Sequence, residues 1–228
     1  MPYRKLDPER IIETADLLQK RIAERFPEAG LARVAGELAS LARDIRDHAR
    51  KLQRPIWWLR ALIAAGIVGG AAVFVFVGTF LTFDRLAGDG FSLVQGVEAT
   101  INTLVLAGLG FFTLIRLEER FKRNDAFKGL HGLRSVIHII DMHQLTKDPG
   151  ALQDGFTPTA SSPQRPLDRA QLRRYLDYCS EMLSITGKLA ALYAQALEDA
   201  VVVEAVNDIE ALGAGLSGKI WQKTQLIG

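Results

Sequence analysis

Two long apolar runs interrupt an otherwise mixed pattern of hydrophobic and polar residues. The first run, residues 61–83, has no charged side chain, and as a helix it would extend roughly 34 Å, enough to cross the hydrocarbon of a bilayer. The second run, residues 99–115, follows after a short polar stretch. The pattern predicts an all-α protein in which a two-span transmembrane helical hairpin is joined to a cytoplasmic helical bundle with coiled-coil-like seams.

Changes in composition along the chain predict seven segments. The four prolines of residues 147–166, together with glycine, serine and threonine, indicate a flexible linker. The predicted segments are an N-terminal cytoplasmic helical hairpin (1–55), the first span (56–83), a short extracytoplasmic loop (84–97), the second span (98–116), a cytoplasmic helix (117–146), the linker (147–166) and the C-terminal cytoplasmic helices (167–228).

Lysine and arginine are concentrated on the outer sides of the two apolar runs. Residues 43–55 and residues 116–128 each contain five of them, whereas the intervening loop contains only Arg85. Because positively charged flanks stay on the cytoplasmic side, we predict an integral membrane protein with two spans and both termini in the cytoplasm. In a bacterium this would be the inner membrane. Trp57 and Trp58 suit the cytoplasmic interface of the bilayer.

Outside the apolar runs, hydrophobic residues recur at alternating intervals of three and four. Asp7 followed by Pro8 predicts the start of a first helix, which should end near Pro27. Two further helices carry apolar seams: Leu31, Val34, Leu38, Leu41, Ile45, His48 and Leu52 in one, and Leu172, Leu176, Cys179, Leu183, Thr186, Ala190, Tyr193 and Leu197 in the other. Such a seam needs a partner helix from the same chain or from a second copy in a homo-oligomer. We expect His48, in a seam position, to set helix register or to be partly solvated near the membrane, and not to bind a ligand.

The C-terminal segment contains two patterns that resemble known motifs. Asn207 and Glu210 have the spacing of a capping box, which predicts a last helix from there to about Lys223. The preceding run, residues 201–203, is assigned to helix because no second strand is available to pair with it. Residues 213–218 match G-x-G-x-x-G, but a dinucleotide site needs a preceding strand and a complete βαβ unit. We therefore predict no cofactor and interpret these glycines as a close-packed or bent stretch of the last helix.

Three of the four histidines lie within residues 131–143, in the predicted cytoplasmic helix. At 100° per residue, His131, Arg134, His138 and Asp141 fall within an arc of about 80°, whereas most remaining positions are strongly apolar. The pattern predicts a buried helix that carries an ionisable stripe. His143 points away from this stripe.

Three interpretations of the stripe stay open. In the first, Asp141 neutralises Arg134 or orients His138 in a structural network that fixes helix register. In the second, the stripe is a regulatory or ligand-binding site, for an anion on Arg134 and the histidines or for a divalent metal on His131, His138 and Asp141. In the third, His138 and Asp141 perform acid–base catalysis, although no nucleophile or second carboxylate cluster accompanies them.

Small and polar residues in the apolar runs suit helix packing or a pore. Gly66 and Gly70 form a G-x-x-x-G pair, and Gly108 of the second run is their expected partner, within the hairpin or in an oligomer. Glu98 and Asn102 lie one helical turn apart at the outer end of the second span, where a ring of Glu98 would form a cation-attracting pore mouth. Alternatively, Glu98 lies in the headgroup region as an acid of the first helical turn.

Composition narrows the possible partners. A net charge of +2, with basic residues interleaved among acids, argues against nucleic acid. The single cysteine, Cys179, permits no internal disulfide, and its apolar helical position predicts that it packs in a core. The lipid bilayer is the first partner that the sequence indicates.

The sequence supports three hypotheses of function. The first is a non-enzymatic homo-oligomeric membrane protein, assembled through its cytoplasmic helices, whose hairpins form a gated ion channel or pore. The second is a membrane-anchored scaffold or signalling protein whose bundle binds a cytoplasmic partner. The third is a membrane-bound enzyme, dependent on a metal or an anion, that uses His138 and Asp141.

Overall fold

The structure, a computed structural model, describes residues 5–80, 90–152, 155–162 and 167–227. Within these residues it contains α-helices, one short 3-10 helix and no strand, which confirms the predicted all-α fold. The α-helices are α1 (Pro8–Arg25), α2 (Gly30–Gln53), α3 (Trp57–Phe80), α4 (Gly90–Leu145), α5 (Arg169–Ala196) and α6 (Ala200–Gln225), and the 3-10 helix is Pro149–Leu152.

The chain forms two compact units. Met1–Gln53 and Arg123–Gly228 together form one, called the bundle below, and Arg54–Lys122 forms the other, called the apolar unit. Because α4 runs without interruption for 56 residues, it contributes to both units. The second apolar run therefore continues as helix into the segment that follows it.

The first two helices of the bundle begin and end where the sequence predicts. Asp7 caps α1 by accepting a hydrogen bond from the Glu9 N–H at 3.0 Å, and α1 ends at Arg25, shortly before Pro27. Four residues of the α2 seam are almost fully buried: Leu31, Leu38, Ile45 and Leu52. They pack in one core with α1 and α5. The partner helices that this seam requires therefore come from the same chain.

α5 is the central helix of the bundle and contacts α1, α2 and α6. It begins with a capping box formed by Asp168 and Gln171. The predicted seam is buried from Leu172 to Tyr193. Residues on both sides of the seam are buried as well: Tyr175, Tyr178, Met182, Ile185, Leu189 and Leu192. Cys179 lies in this core as predicted, and its burial raises the pKa of the thiol to about 12.

α6 begins earlier than the sequence predicts. Its N-cap is Asp199, which accepts hydrogen bonds from the N–H groups of Val201 and Val202 at 3.0 and 3.2 Å. Asn207 and Glu210 lie inside the helix, so the predicted start at a capping box is wrong. Because the aspartate already caps the chain upstream, the valines join the helix and Val202 packs in the core.

The glycines of residues 213–218 lie inside α6, as interpreted from the sequence. Gly213 is buried, and a Cβ atom added to it would lie 3.7 Å from the carbonyl oxygen of Leu183 in α5. The backbones of α5 and α6 therefore come close at this position. Gly213 therefore serves helix packing, whereas Gly215 and Gly218 are exposed and a Cβ atom added to either would meet no heavy atom within 4 Å among the described residues.

In the apolar unit, α3 covers most of the first apolar run. Among the described residues, one stretch that includes the start of α3, Gly30–Ala72, is long and apolar enough to contain a membrane span. Only 6% of its most apolar 18-residue window is buried, so most of this window lacks protein cover. By the same criterion of length and hydropathy, the described part of the second apolar run does not qualify as a membrane span. The structure thus supports one candidate membrane-spanning helix by length and composition.

Two segments predicted as irregular are helical in part. α4 begins at Gly90, inside the predicted loop 84–97. In the predicted linker, the 3-10 helix Pro149–Leu152 packs against the core, with Pro149 buried. Three pieces of these two segments lie outside the described residues: 84–89, 153–154 and 163–166.

Candidate functional site

α4 and α6 lie side by side in the bundle and run in the same direction. Three contacts occur in the same order along both helices: Arg123 with Asp199 at 2.7 Å, Arg134 with Asp208 at 3.8 Å, and Gln144 with Lys223 at 2.7 Å. The face of α4 beside α6 carries His131 and Arg134 of the ionisable stripe.

The ionisable stripe of α4 lies on the outside of the bundle. His131, Arg134 and His138 are exposed and Asp141 is half-buried, so the prediction of a buried stripe is wrong. The aliphatic side chains of the same helix pack in the core instead: Leu130, Leu133, Ile137 and Ile140. The physical reason is that ionisable groups lose hydration free energy on burial, whereas this aliphatic arc gains by leaving water.

Two members of the stripe line a groove between α4 and α6. This groove has a cavity volume of about 670 Å³. Its apolar lining consists of Phe127, Leu130, Ala205 and Ile209, and its ionisable lining of Lys128, His131, Arg134 and Asp208. Apolar surface with a few polar groups is typical of a binding site for a ligand or for a segment of a partner. This arrangement is the candidate functional site.

Asp141 has a different partner from those that the sequence suggests. Its carboxylate accepts a hydrogen bond from Nε2 of Gln144 at 2.6 Å. Gln144 is 2% exposed, and its side-chain oxygen accepts a hydrogen bond from Nζ of Lys223 at 2.7 Å. These contacts connect α4 to α6 and correspond to a structural network, with Gln144 and Lys223 in place of Arg134 and His138.

The metal and catalytic interpretations gain no support from the contacts of the stripe. Within the described residues, no group of three or more histidine, cysteine, aspartate or glutamate side chains is placed to hold a metal ion. Among the hydrogen bonds of the described chain, Asp141 pairs with Gln144, whereas a catalytic pair would require contact with His138.

His48 joins three helices of the bundle. Its Nε2 atom lies 2.6 Å from Oδ2 of Asp125 in α4, and its Nδ1 atom lies 3.0 Å from the hydroxyl of Tyr193 in α5. Both contacts are satisfied when Nε2–H donates to the carboxylate and the Tyr193 hydroxyl donates to Nδ1. The hydrogen bond from His48 holds the pKa of Asp125 below its usual value, and burial raises the pKa of Tyr193.

This junction fits the expectation that His48 sets helix register, but its two partners were not predicted. The sequence did contain one signal, because His48 and Tyr193 both occupy positions on apolar seams. Polar groups that enter a core must find a hydrogen-bonding partner, and two such groups on separate seams are candidates for each other. The sequence gives no such signal for Asp125, because it lies in a segment rich in charged residues after the second apolar run.

His143 lies apart from the stripe, as the helical periodicity predicts. It lines a smaller pocket of about 360 Å³, together with Tyr175 and Lys147. Burial lowers the pKa of His143, and the positive charges of Lys147 and Arg33 lower it further. A Cβ atom added at Gly30 would lie 2.5 Å from Cε1 of His143, so the ring sits directly against the start of α2.

In the apolar unit, the predicted packing glycines are uncovered. A Cβ atom added at Gly66, Gly70 or Gly108 would meet no heavy atom within 4 Å in the described part of the chain. Among the described residues, no side chain or helix covers these glycines, and their pairing with Gly108 stays a prediction. The pore-lining candidates Glu98 and Asn102 are exposed on α4. These small and polar positions remain available to lipid or to another helix.

The chain matches no protein-family model, no curated protein and no solved structure. The functional interpretation therefore depends on the residues and contacts described above.

Proposed function

We propose that this protein is a membrane-anchored scaffold whose bundle binds a cytoplasmic protein partner in the groove between α4 and α6. One observation carries the proposal: the bundle buries both predicted seams within a single chain, while the groove beside the stripe stays open. The seams therefore give no reason to invoke a second copy. The groove presents an apolar surface that a partner segment would cover.

The charges around the groove favour an acidic partner. Lys128 and Arg134 are exposed around it, and these two cations outnumber the one acid of the described lining, Asp208. Lys128 reaches Asp125 only at 3.6 Å, and 79% of its side chain is exposed, so that pair is weak as well. The Arg134–Asp208 pair is 3.8 Å long, with 47% and 67% of the two side chains exposed, so it contributes little and yields readily to a competing carboxylate. An amphipathic helix with an acidic edge would satisfy both the basic groups and the apolar lining around Phe127.

Anchoring by two spans, with both termini in the cytoplasm, is part of the proposal. α3 is the candidate membrane-spanning helix, and the second run is continuous with the bundle through α4. Ten lysine and arginine residues lie in the two flanks, 43–55 and 116–128, which suits a shared cytoplasmic side. The protein should stay in the membrane pellet after alkaline carbonate treatment, and tags at both termini should be digested from the same side of sealed vesicles.

A photo-crosslinking experiment in intact membranes tests the groove. A photoreactive residue at Ala205, in the groove, should give one adduct of defined mass, which tandem mass spectrometry identifies. The same residue at Ala214, exposed elsewhere on α6, is the matched control and should not give it. Arg134→Glu should remove the adduct, because it reverses the charge that an acidic partner meets.

Replacement of residues 56–116 by an unrelated two-span hairpin separates a scaffold from a conduit. A scaffold keeps the Ala205 adduct after this replacement, because the bundle supplies the binding surface. The scaffold hypothesis is wrong if Ala205 and Ala214 give the same products, or if the adduct disappears with the native spans.

The second candidate function is a homo-oligomeric gated channel or pore, and a specific observation favours it. Gly66, Gly70 and Gly108 are uncovered, and small residues of this kind let helices from neighbouring copies approach closely in lipid. Assembly would then occur through the spans, with Glu98 and Asn102 exposed on α4. A cysteine at Gly70 in a Cys179→Ser background should form disulfide-linked dimers in membranes, and Glu98→Gln should lower cation conductance. Monomer alone in crosslinking and in mild-detergent sizing would exclude this function.

A further inference from the structure

Aromatic side chains are exposed where the apolar unit begins and ends. Trp57 and Trp58, at the start of α3, are 74% and 63% exposed, and Phe121 of α4 is 48% exposed. The rings of Trp58 and Phe121 meet edge to face with their centroids 6.3 Å apart, so the two sequence flanks come together in space. Tryptophan beside an apolar helix is typical of the headgroup level of a bilayer.

The same region contains five basic and two acidic side chains within residues 54–60 and 116–122. Glu118 is fully engaged inside the unit: it accepts hydrogen bonds from Arg60 at 3.2 Å and from the Ile56 N–H at 3.3 Å, and it pairs with Lys122 at 3.0 Å. Only 14% of the Glu118 side chain is exposed. One carboxylate therefore pairs with two of the cations, Arg60 and Lys122, and is unavailable to the others.

Three arginines remain on the outside with little counter-charge. Arg54 and Arg120 are exposed and form no ion pair among the described residues. Arg116 reaches Glu119 only at 3.9 Å, with 64% and 56% of the two side chains exposed, and its guanidinium lies 4.9 Å from the centre of the Phe112 ring. An exposed pair of this length is weak, so Arg116 can turn toward another anion. We call Arg54, Arg116 and Arg120, together with Trp57, Trp58 and Phe121, the collar.

We propose that the collar binds the headgroups of anionic phospholipids in preference to zwitterionic ones. This inference depends on the membrane anchoring proposed above, and it adds the chemical class of lipid that surrounds the anchor. Guanidinium groups bind phosphate oxygens with two parallel hydrogen bonds, and aromatic rings place them at the depth of the headgroups. Each basic side chain at an anionic surface raises local affinity roughly fivefold, so three arginines give a clear selectivity.

Tryptophan fluorescence in lipid vesicles tests this selectivity with the full chain. The protein has three tryptophans, and Trp221→Phe removes the one outside the collar. This variant is reconstituted into vesicles of equal parts phosphatidylglycerol and phosphatidylcholine, in which either one lipid or the other carries brominated chains that quench nearby indoles. Quenching by brominated phosphatidylglycerol should exceed quenching by brominated phosphatidylcholine roughly threefold, and the ratio should fall as salt screens the charges.

Two triple variants show whether the collar causes the effect. Arg54→Gln/Arg116→Gln/Arg120→Gln should bring the quenching ratio close to one, and the same three substitutions to lysine should keep most of it. The matched control, Arg169→Gln/Arg173→Gln/Lys219→Gln, removes three exposed cations of the bundle and should leave the ratio unchanged.

Equal quenching by the two lipids, or an equal loss of selectivity in the control, overturns the inference while the anchoring stands. Absence of quenching by either lipid overturns the anchoring itself, and the lipid preference with it. The two failures are therefore distinguishable in one set of measurements.

Discussion

The Nε2 atom of His48 lies 2.6 Å from a carboxylate oxygen of Asp125, and this contact joins α2 to α4. The other ring nitrogen meets the Tyr193 hydroxyl of α5 at 3.0 Å, so one imidazole connects three helices. The Tyr193 side chain is fully buried, whereas 24% of the His48 side chain is exposed. A polar junction of this kind restricts how the helices can slide past one another, because any shift leaves a buried hydroxyl unpaired.

Replacement of His48 by leucine should therefore destabilise the bundle. The Tyr193 hydroxyl would lose its partner in the core, and the free energy of unfolding should fall by about 1–3 kcal/mol. His138→Leu, on the exposed face of α4, is the control and should change it by less than about 0.5 kcal/mol. Urea unfolding of the protein in mild detergent, followed by circular dichroism, measures both. In the double variant His48→Leu/Tyr193→Phe, the loss of unfolding free energy should be smaller than the sum of the two single losses, because no buried hydroxyl is left unpaired. A loss equal to that sum would contradict the coupling.

Gly129 should tolerate no side chain, because the Tyr193 side chain of α5 lies directly against it. A Cβ atom added to it would collide with the Tyr193 hydroxyl, and the ring that carries this hydroxyl is fully buried. We expect Gly129→Ala to cost about 1–3 kcal/mol of unfolding free energy, by the same urea measurement. A Cβ atom at Gly132, one turn along the same helix, would meet no heavy atom of the described residues within 4 Å. Gly132→Ala should be neutral or stabilise by up to about 1 kcal/mol, and a similar loss in both variants would refute the steric argument.

Asp199 has two roles that separate substitutions can distinguish. It caps α6 through the N–H groups of Val201 and Val202, and it pairs with Arg123 at 2.7 Å. Asp199→Ala removes both contacts and should cost about 2 kcal/mol in unfolding free energy. Asp199→Asn keeps an oxygen for capping and loses only the charge, so its cost should be clearly smaller. Equal costs, measured by thermal unfolding of the two variants side by side, would mean that the ion pair adds nothing to the cap.

Acid should weaken the bundle in a defined pH range. The hydrogen bond from His48 lowers the pKa of Asp125. Burial by itself raises the pKa of Asp199, but the hydrogen bonds from Arg123 and from the helix N–H groups outweigh burial, so the pKa of Asp199 is lowered as well. A carboxylate whose folded pKa is depressed contributes stability that is complete above its unfolded pKa, about 3.9, and is lost as pH falls through the folded value. Unfolding free energy should therefore decline below about pH 4. Asp199→Asn should make this decline shallower, and an unchanged slope would contradict the assignment.

Glu118 should hold the start of α3 in place. Burial raises its pKa, but hydrogen bonds from Lys122, Arg60 and the Ile56 N–H outweigh this effect and keep it low, so the carboxylate is charged at neutral pH. Glu118→Gln weakens all three contacts, and hydrogen–deuterium exchange at residues 54–60 should accelerate about tenfold or more. Glu119→Gln is the matched control, since the Glu119 side chain is 56% exposed and pairs with Arg116 only at 3.9 Å. Equal acceleration in both variants would show that Glu118 has no special role.

Several helix boundaries could be predicted because they depend on neighbouring residues. The Asp7 cap of α1, the end of α1 before Pro27 and the buried seams of α2 and α5 all follow from local spacing. The start of α6 was wrong because two capping signals compete within one segment, at Asp199 and at Asn207. The upstream cap prevails, since it lets Val202 enter the core and lets Arg123 pair with the cap.

The sequence by itself determined that the chain is helical, where most helices start, and that residues 61–83 form a stretch without charge, because propensity, capping and hydropathy are properties of adjacent residues. Tertiary structure decided which arc of α4 is buried, that α1 and α5 cover the α2 seam, and that His48 meets Asp125 and Tyr193. Those outcomes join residues far apart in the chain, and they depend on the summed free energy of packing and desolvation over all the helices, which no local pattern contains.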